Sequence, residues 1–163
     1  AESWLEFRRV LFRSSIQGIE LEVRAIPLEG FEIAAGLGLL DAEFTNYINP
    51  FTGDRFDGNT IPYSPTLTYN LGVQYRHPIG VFGRIELQGS GRTYFDDTNQ
   101  LAQDPFITIN ARIGYETENY GIYLFGNNIF NSHYLTQAYT IFIGDIGTYA
   151  APATYGVQVR ANF

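Results

Sequence analysis

The stretch Ala151-Pro-Ala-Thr-Tyr-Gly-Val-Gln-Val-Arg-Ala-Asn-Phe163 decides the fold. From Ala153 onward, Ala153, Tyr155, Val157, Val159, Ala161 and Phe163 fall on one face of an extended chain. Thr154, Gly156, Gln158, Arg160 and Asn162 fall on the other. Such period-2 alternation is that of a β-strand with one apolar and one polar face. About eleven residues at ~3.4 Å each extend ~37 Å. Tilted by about 45°, they cover roughly the ~25 Å apolar band of an outer-membrane barrel. A strand with lipid on one side and water on the other accounts for more of this pattern than a soluble sheet does.

The remainder of the 163 residues agrees with this reading. Tyr (12), Phe (13) and Gly (17) are abundant beside a single Trp, and aromatics at this level suit strands and membrane-interface girdles. The longest apolar run, about residues 33–40, is interrupted by Gly36 and Gly38. It falls far short of the ~20 residues of a transmembrane helix. A membrane can then be crossed only by strands, the other arrangement that satisfies the backbone. The absence of cysteine excludes disulfides, thiol chemistry and Cys-ligated metals. A net charge of −7 argues against a nucleic-acid partner.

Reading backward and forward from the last strand, six further alternating segments emerge. They begin near Gly18, Phe31, Thr66, Arg84, Ile107 and Ile122. Short turns (29–30, 78–80, 118–121) alternate with long polar connections (45–63, 96–105, 132–150), the organisation of an outer-membrane barrel with short turns at one rim and long loops at the other. The segment from Ile122 is apolar on both faces at first, so its facing stays open. The polar faces carry Arg76, Arg84, Glu86, Arg92, Arg112 and Arg160, with Glu20, Glu22, Arg24 and Glu116. That is too much charge for a small dry core, and it predicts a wet lumen. Seven strands do not close a barrel, since single-chain bacterial barrels have an even number, eight or more. Missing upstream sequence is therefore expected. Residues 1–14 break the pattern, and Leu11-Phe12-Arg13-Ser14 resembles a translated sequencing adapter. The expected boundaries are a non-native, disordered or helical leader over 1–14 and a barrel segment over 15–163.

Several motifs resemble the C-terminal third of TonB-dependent outer-membrane receptors. Ile61-Pro-Tyr-Ser-Pro-Thr-Leu-Thr-Tyr-Asn-Leu-Gly72 is similar to the family's proline-led strand start. Tyr94-Phe-Asp-Asp-Thr-Asn99 is similar to its Tyr-x-Asp-x-x-Asn loop start, and Asn128-Ile-Phe-Asn-Ser-His-Tyr134 to its Asn-Leu-Phe-Asp-x-x-Tyr signature. The ending through Phe163 is similar to its last strand. The resemblance implies an all-β, antiparallel up-and-down fold: about seven strands of a 22-stranded barrel in the bacterial outer membrane. It also implies energy-coupled uptake of a siderophore or another scarce nutrient, with TonB reached through a plug domain that this chain lacks. Tyr155, Gly156, Val157, Val159 and Phe163 would be the signal read by the barrel-assembly machinery. Transport by this chain alone is not expected. Two other readings stand beside it: a complete eight-stranded membrane barrel with a structural or adhesive role, and a soluble lipocalin-like barrel.

Asp54, Arg55, Asp57, Asp96 and Asn99 lie in the long connections and are candidate contacts for a small-molecule ligand. As a Ca²⁺ loop, 53–59 lacks the ligand count and the terminal bidentate Glu. Asp96-Asp97 carries no sign of the buried setting that splits the pKa values of an acid/base pair. His77 and His133 lie apart from any metal-ligand spacing. No catalytic constellation, metal site or cofactor motif emerges, and the chain is expected not to be an enzyme.

Overall fold

The computed structural model describes residues 13–162. Its frame is a seven-stranded antiparallel sheet of β1 (Arg13–Leu28), β2 (Phe31–Asn46), β3 (Leu67–Arg76), β4 (Val81–Ser90), β7 (Phe106–Glu116), β8 (Tyr120–Asn127) and β11 (Thr154–Ala161), paired in that order. The small ladder β5 (Thr93–Tyr94) with β6 (Ala102–Gln103) closes the base of one long connection. The hairpin β9 (Leu135–Ile141) with β10 (Gly144–Tyr149) stands on another. β1 and β11 are the two edges of the large sheet, which is not closed. Each main strand pairs with its predecessor in the sheet, so the topology is up-and-down.

Register decides which residues share a face. Val23 lies opposite Ala35, Ala35 opposite Leu71, and Leu71 opposite Leu87. Further along, Ile113 faces Leu124 and Leu124 faces Val157. Every alternating apolar set of the sequence thus merges into one continuous surface. This surface is not covered by protein: Ile19 is 70 %, Leu124 58 % and Val159 72 % exposed. A soluble barrel or sandwich would bury one such face against a second layer, whereas an apolar sheet face of this size in contact with lipid needs no cover. No helix among the described residues is long and apolar enough to cross a membrane.

The opposite face explains the glycine and aromatic content. Phe125 lies directly across from Gly156, and Tyr123 across from Gly114. A Cβ on Gly156 would come within 2.6 Å of the Phe125 ring, and one on Gly114 within 2.4 Å of the Tyr123 ring. The same pairing occurs on the apolar face, where the Tyr69 ring lies over Gly89. Gly89 therefore makes room for a ring. The facing of β8 is settled as well. Ile122 and Leu124 point outward, while Tyr123, 4 % exposed, points inward with Phe125.

Boundaries differ from the sequence reading in three places. β2 runs on to Asn46 and β1 starts at Arg13, because Ser14 pairs with Phe44 and Gln17 with Asp41 beyond the apolar stretch. The connection 132–150, expected as a loop, holds the β9–β10 hairpin. Its strands were hidden because most of their residues are exposed on both faces, so no polarity stripe forms. The expected leader lies outside the described residues except for Arg13 and Ser14, which open β1.

Candidate functional site

All three short turns meet at one rim. Residues Glu29, Gly30, Pro78, Gly80, Thr117 and Arg160 border a single recess there. The long connections leave from the opposite rim, and between the rims the inner face forms a charged wall. Glu32, Gln74, Arg84, Arg112 and Phe125 form one row, each opposite the next across neighbouring strands. One row nearer the short turns lie Arg76, Phe82, Gly114, Tyr123 and Gln158. Polar side chains at period 2 on seven strands therefore become horizontal rows only because the register is in step.

Three arginines of the wall are paired within it. Arg24 Nε is 2.9 Å from Glu32, Arg84 pairs with Glu86 and donates to Gln74 Oε1 (3.3 Å), and Arg76 pairs with Glu116. The Tyr123 hydroxyl donates to the other oxygen of Glu116 at 2.6 Å. The Arg112 guanidinium lies 4.0 Å from the centre of the Tyr123 ring, and that of Arg76 lies over Phe82, cation–π contacts that fix where the charges stand. Arg160 sits on the edge strand opposite Gly121. Arg92 lies past the end of β4, outside the large sheet, and pairs with Asp104 at 2.6 Å.

At the outer rim the motif residues have structural work. Asp96 caps its own turn, accepting from the backbone N–H of Thr98 and Leu101. Asn99, in the left-handed region at φ 57°, exchanges two hydrogen bonds with the backbone of Thr60 (2.7 and 2.8 Å) and so joins the 96–101 loop to the 47–65 loop. The Tyr47 hydroxyl makes a second bridge, donating to Asp97 at 2.8 Å. Asp57 accepts from Arg55 and from the Tyr47 backbone N–H, while Asp54 offers its carbonyl to Asn49. The five candidate contacts thus gather in one stitched loop pair.

These bonds set a pH window. The Arg55 hydrogen bond, with the Tyr47 N–H, holds Asp57 below the usual carboxylate range, so its contribution is present above that range and fades as pH falls through the lowered pKa. Hydrogen bonding to Asp97, with burial and the Asp97 charge, pushes Tyr47 up. Its bond is intact below the ordinary tyrosine pKa and is lost as pH rises through the raised one. The loop pair is therefore expected to be tightest through neutral pH. Protection of the Thr60 amide, its exchange rate taken relative to the intrinsic rate at each pH, should fall at both extremes, and Tyr47→Phe should remove the alkaline fall alone. An unchanged alkaline limb in that variant would sink the assignment.

Asn128 anchors the third connection. Its side chain bonds the carbonyls of Ser132 (2.9 Å) and Ala151 (3.3 Å) and accepts from the Ser132 N–H, while its own N–H donates to Asn110 Oδ1. It is buried at φ 49°, a conformation that asparagine tolerates better than most residues. Asn128→Ala is expected to destabilise by about 2 kcal/mol, since it removes three part-buried side-chain hydrogen bonds at once. Asn131→Ala, which loses one exposed bond to the Ala153 N–H, should cost less than half as much; thermal unfolding in detergent compares the two. Sequence reading marked this motif without finding its role, and its signal was two asparagines three apart at a strand end.

Comparison with known proteins adds the family. The model of the TonB-dependent receptor-like β-barrel matches residues 8–129, well over half of the chain. The chain belongs to the TonB-dependent receptor family. It is 25 % identical over 157 residues to the pesticin receptor of Yersinia pestis, covering 93 % of this chain and 22 % of that receptor. Among solved structures, the ferric yersiniabactin uptake receptor of Yersinia pestis superposes with a TM-score of 0.82 at 24 % identity, over 93 % of this chain and 24 % of that one. The siderophore receptor PiuA of Acinetobacter baumannii superposes at 0.79 and 23 % identity, over 91 % and 22 %. The chain thus spans between a fifth and a quarter of these relatives. It is an outer-membrane β-barrel segment of this family, with one apolar and one charged face. Among the described residues, no group of three or more His, Asp or Glu could hold a metal ion.

Proposed function

We propose that this chain forms one wall of a larger outer-membrane receptor that takes up a siderophore or another scarce nutrient. The observation that carries this reading is the seven-stranded sheet with its lipid face, charged wall and stitched outer loops, on which siderophore receptors superpose over nearly the whole chain. The short turns then face the periplasm and the long connections the outside. Asp54, Arg55, Asp57, Asp96 and Asn99 stand where a small-molecule ligand first meets the protein. Arg76, Arg84, Glu86, Arg112 and Arg160 line the route inward, with Arg92 above them. A plug domain supplied elsewhere in the receptor contacts the TonB complex. The terminal strand, with Tyr155, Gly156, Val157 and Val159 and with Phe163 outside the described residues, is the signal for the barrel-assembly machinery. The role is that of a receptor and not of an enzyme.

Topology is the direct test. In the complete receptor, Asp54→Cys should react with an impermeant thiol reagent on intact cells, and Asn119→Cys only after the outer membrane is opened. The reverse pattern would invert the wall and remove the reading. Uptake is tested in parallel: iron-limited cells lacking the receptor should lose accumulation of a ferric siderophore in a manner that needs the proton-motive force.

A further inference from the structure

The inner wall holds a cation, Arg112, left without an ion-pair partner among the described residues. Among the described residues Arg112 makes no hydrogen bond or ion pair, and its Nε is fully covered with no acceptor facing it. Its guanidinium rests on the Tyr123 ring. The nearby carboxylates are engaged elsewhere: Glu116 is held by Arg76 and by the Tyr123 hydroxyl, and Glu86 by Arg84. Arg84 lies directly opposite Arg112 across β4 and β7. Two like charges facing each other across a sheet are destabilising, and a covered guanidinium N–H without an acceptor adds to that cost. Both side chains border a recess of about 490 Å³ whose rim also carries Phe82, Phe125, Asn127 and Gln158.

We infer that this recess is a carboxylate-binding site on the lumenal wall, with Arg112 as its principal ligand. The site rests on the lumenal reading of this face. Two guanidinium groups against the single carboxylate of Glu86 leave one positive charge, which matches a monoanion. Arginine's planar fork takes a carboxylate through two parallel N–H groups. Because Nε is covered, the carboxylate meets the two Nη atoms end-on. Asn127 and Gln158 supply amide groups at the rim, and Phe82 and Phe125 supply dry walls that strengthen the pair. The carboxylate comes either from a protein segment seated in the lumen or from a small acid passing through it.

The test uses the complete receptor in detergent. Modification of Arg112 by a water-soluble glyoxal, followed by peptide mass spectrometry, should slow by about tenfold in saturating acetate relative to chloride at equal ionic strength if the site is open to free acids. If a protein carboxylate fills it, Arg112→Lys treated with a carbodiimide should yield a zero-length amide crosslink from position 112. Protection without a crosslink assigns a small acid, and a crosslink assigns a protein segment. Modification that ignores acetate, with no crosslink, overturns the site. Gln158→Cys and Val157→Cys, probed with a water-soluble thiol reagent, keep the two readings separate. Reaction at 157 but not at 158 would remove the lumenal wall itself, whereas reaction at 158 with a silent Arg112 removes the site alone.

Discussion

Val157→Arg is expected to destabilise the complete barrel by close to the upper part of the ~2–4 kcal/mol that arginine costs on a lipid face near the bilayer midplane. Val157 is 62 % exposed and lies opposite Leu124 in the middle of β11, on the continuous apolar face. A guanidinium there has no water and no partner within the sheet. Gln158, one residue on, lies opposite Tyr123 and borders the recess of the charged face. Gln158→Arg keeps a polar side chain in water, at the expense of some repulsion from Arg112 and Arg160, and should cost well under half as much. Reversible unfolding in lipid vesicles measures both. Equal losses would mean that the alternation does not separate lipid from lumen, and the membrane-barrel reading would lose its main support.

The second large effect belongs to the first short turn. Gly30 has φ 76°, and a Cβ there would stand 2.1 Å from the carbonyl oxygen of Arg76, at the end of β3. Gly30→Ala therefore carries two costs. A left-handed conformation in a residue with a side chain costs on the order of 1–3 kcal/mol. In addition, the backbone of β3 is displaced and the 2.7 Å bond from the Arg76 N–H to Gly30 O is strained. Together about 3 kcal/mol or more is expected. Gly58 is the control: its φ is 83°, and a Cβ there meets nothing within 4 Å. Gly58→Ala should show the conformational cost alone, about 1 kcal/mol. The same vesicle unfolding assay compares them, and equal costs would refute the contact between the turn and β3.

The class of fold, the number of main strands, the places of the short turns and the separation of an apolar from a charged face were legible in the sequence. They were so because a strand with lipid on one face and water on the other writes its orientation residue by residue, with no tertiary information needed. Ile19, Leu21 and Val23 against Glu20, Glu22 and Arg24 are legible in this way. The stretch Ile122-Tyr-Leu-Phe125 is not, because all four side chains are apolar. Only the pairing of Leu124 with Val157 and of Phe125 with Gly156 decides which of them joins the apolar face. The β9–β10 hairpin escaped for the complementary reason: with most residues exposed on both faces, solvent imposes no stripe. The loop residues were located but not understood, since the bonds from Asn99 to Thr60 and from Tyr47 to Asp97 span 39 and 50 positions. The state of the charged wall lay furthest from the sequence. Which arginine takes Glu116, and which is left facing another arginine, depends on the order and register of three strands. Those are set by backbone hydrogen bonds between segments far apart in the chain, and no local pattern encodes them.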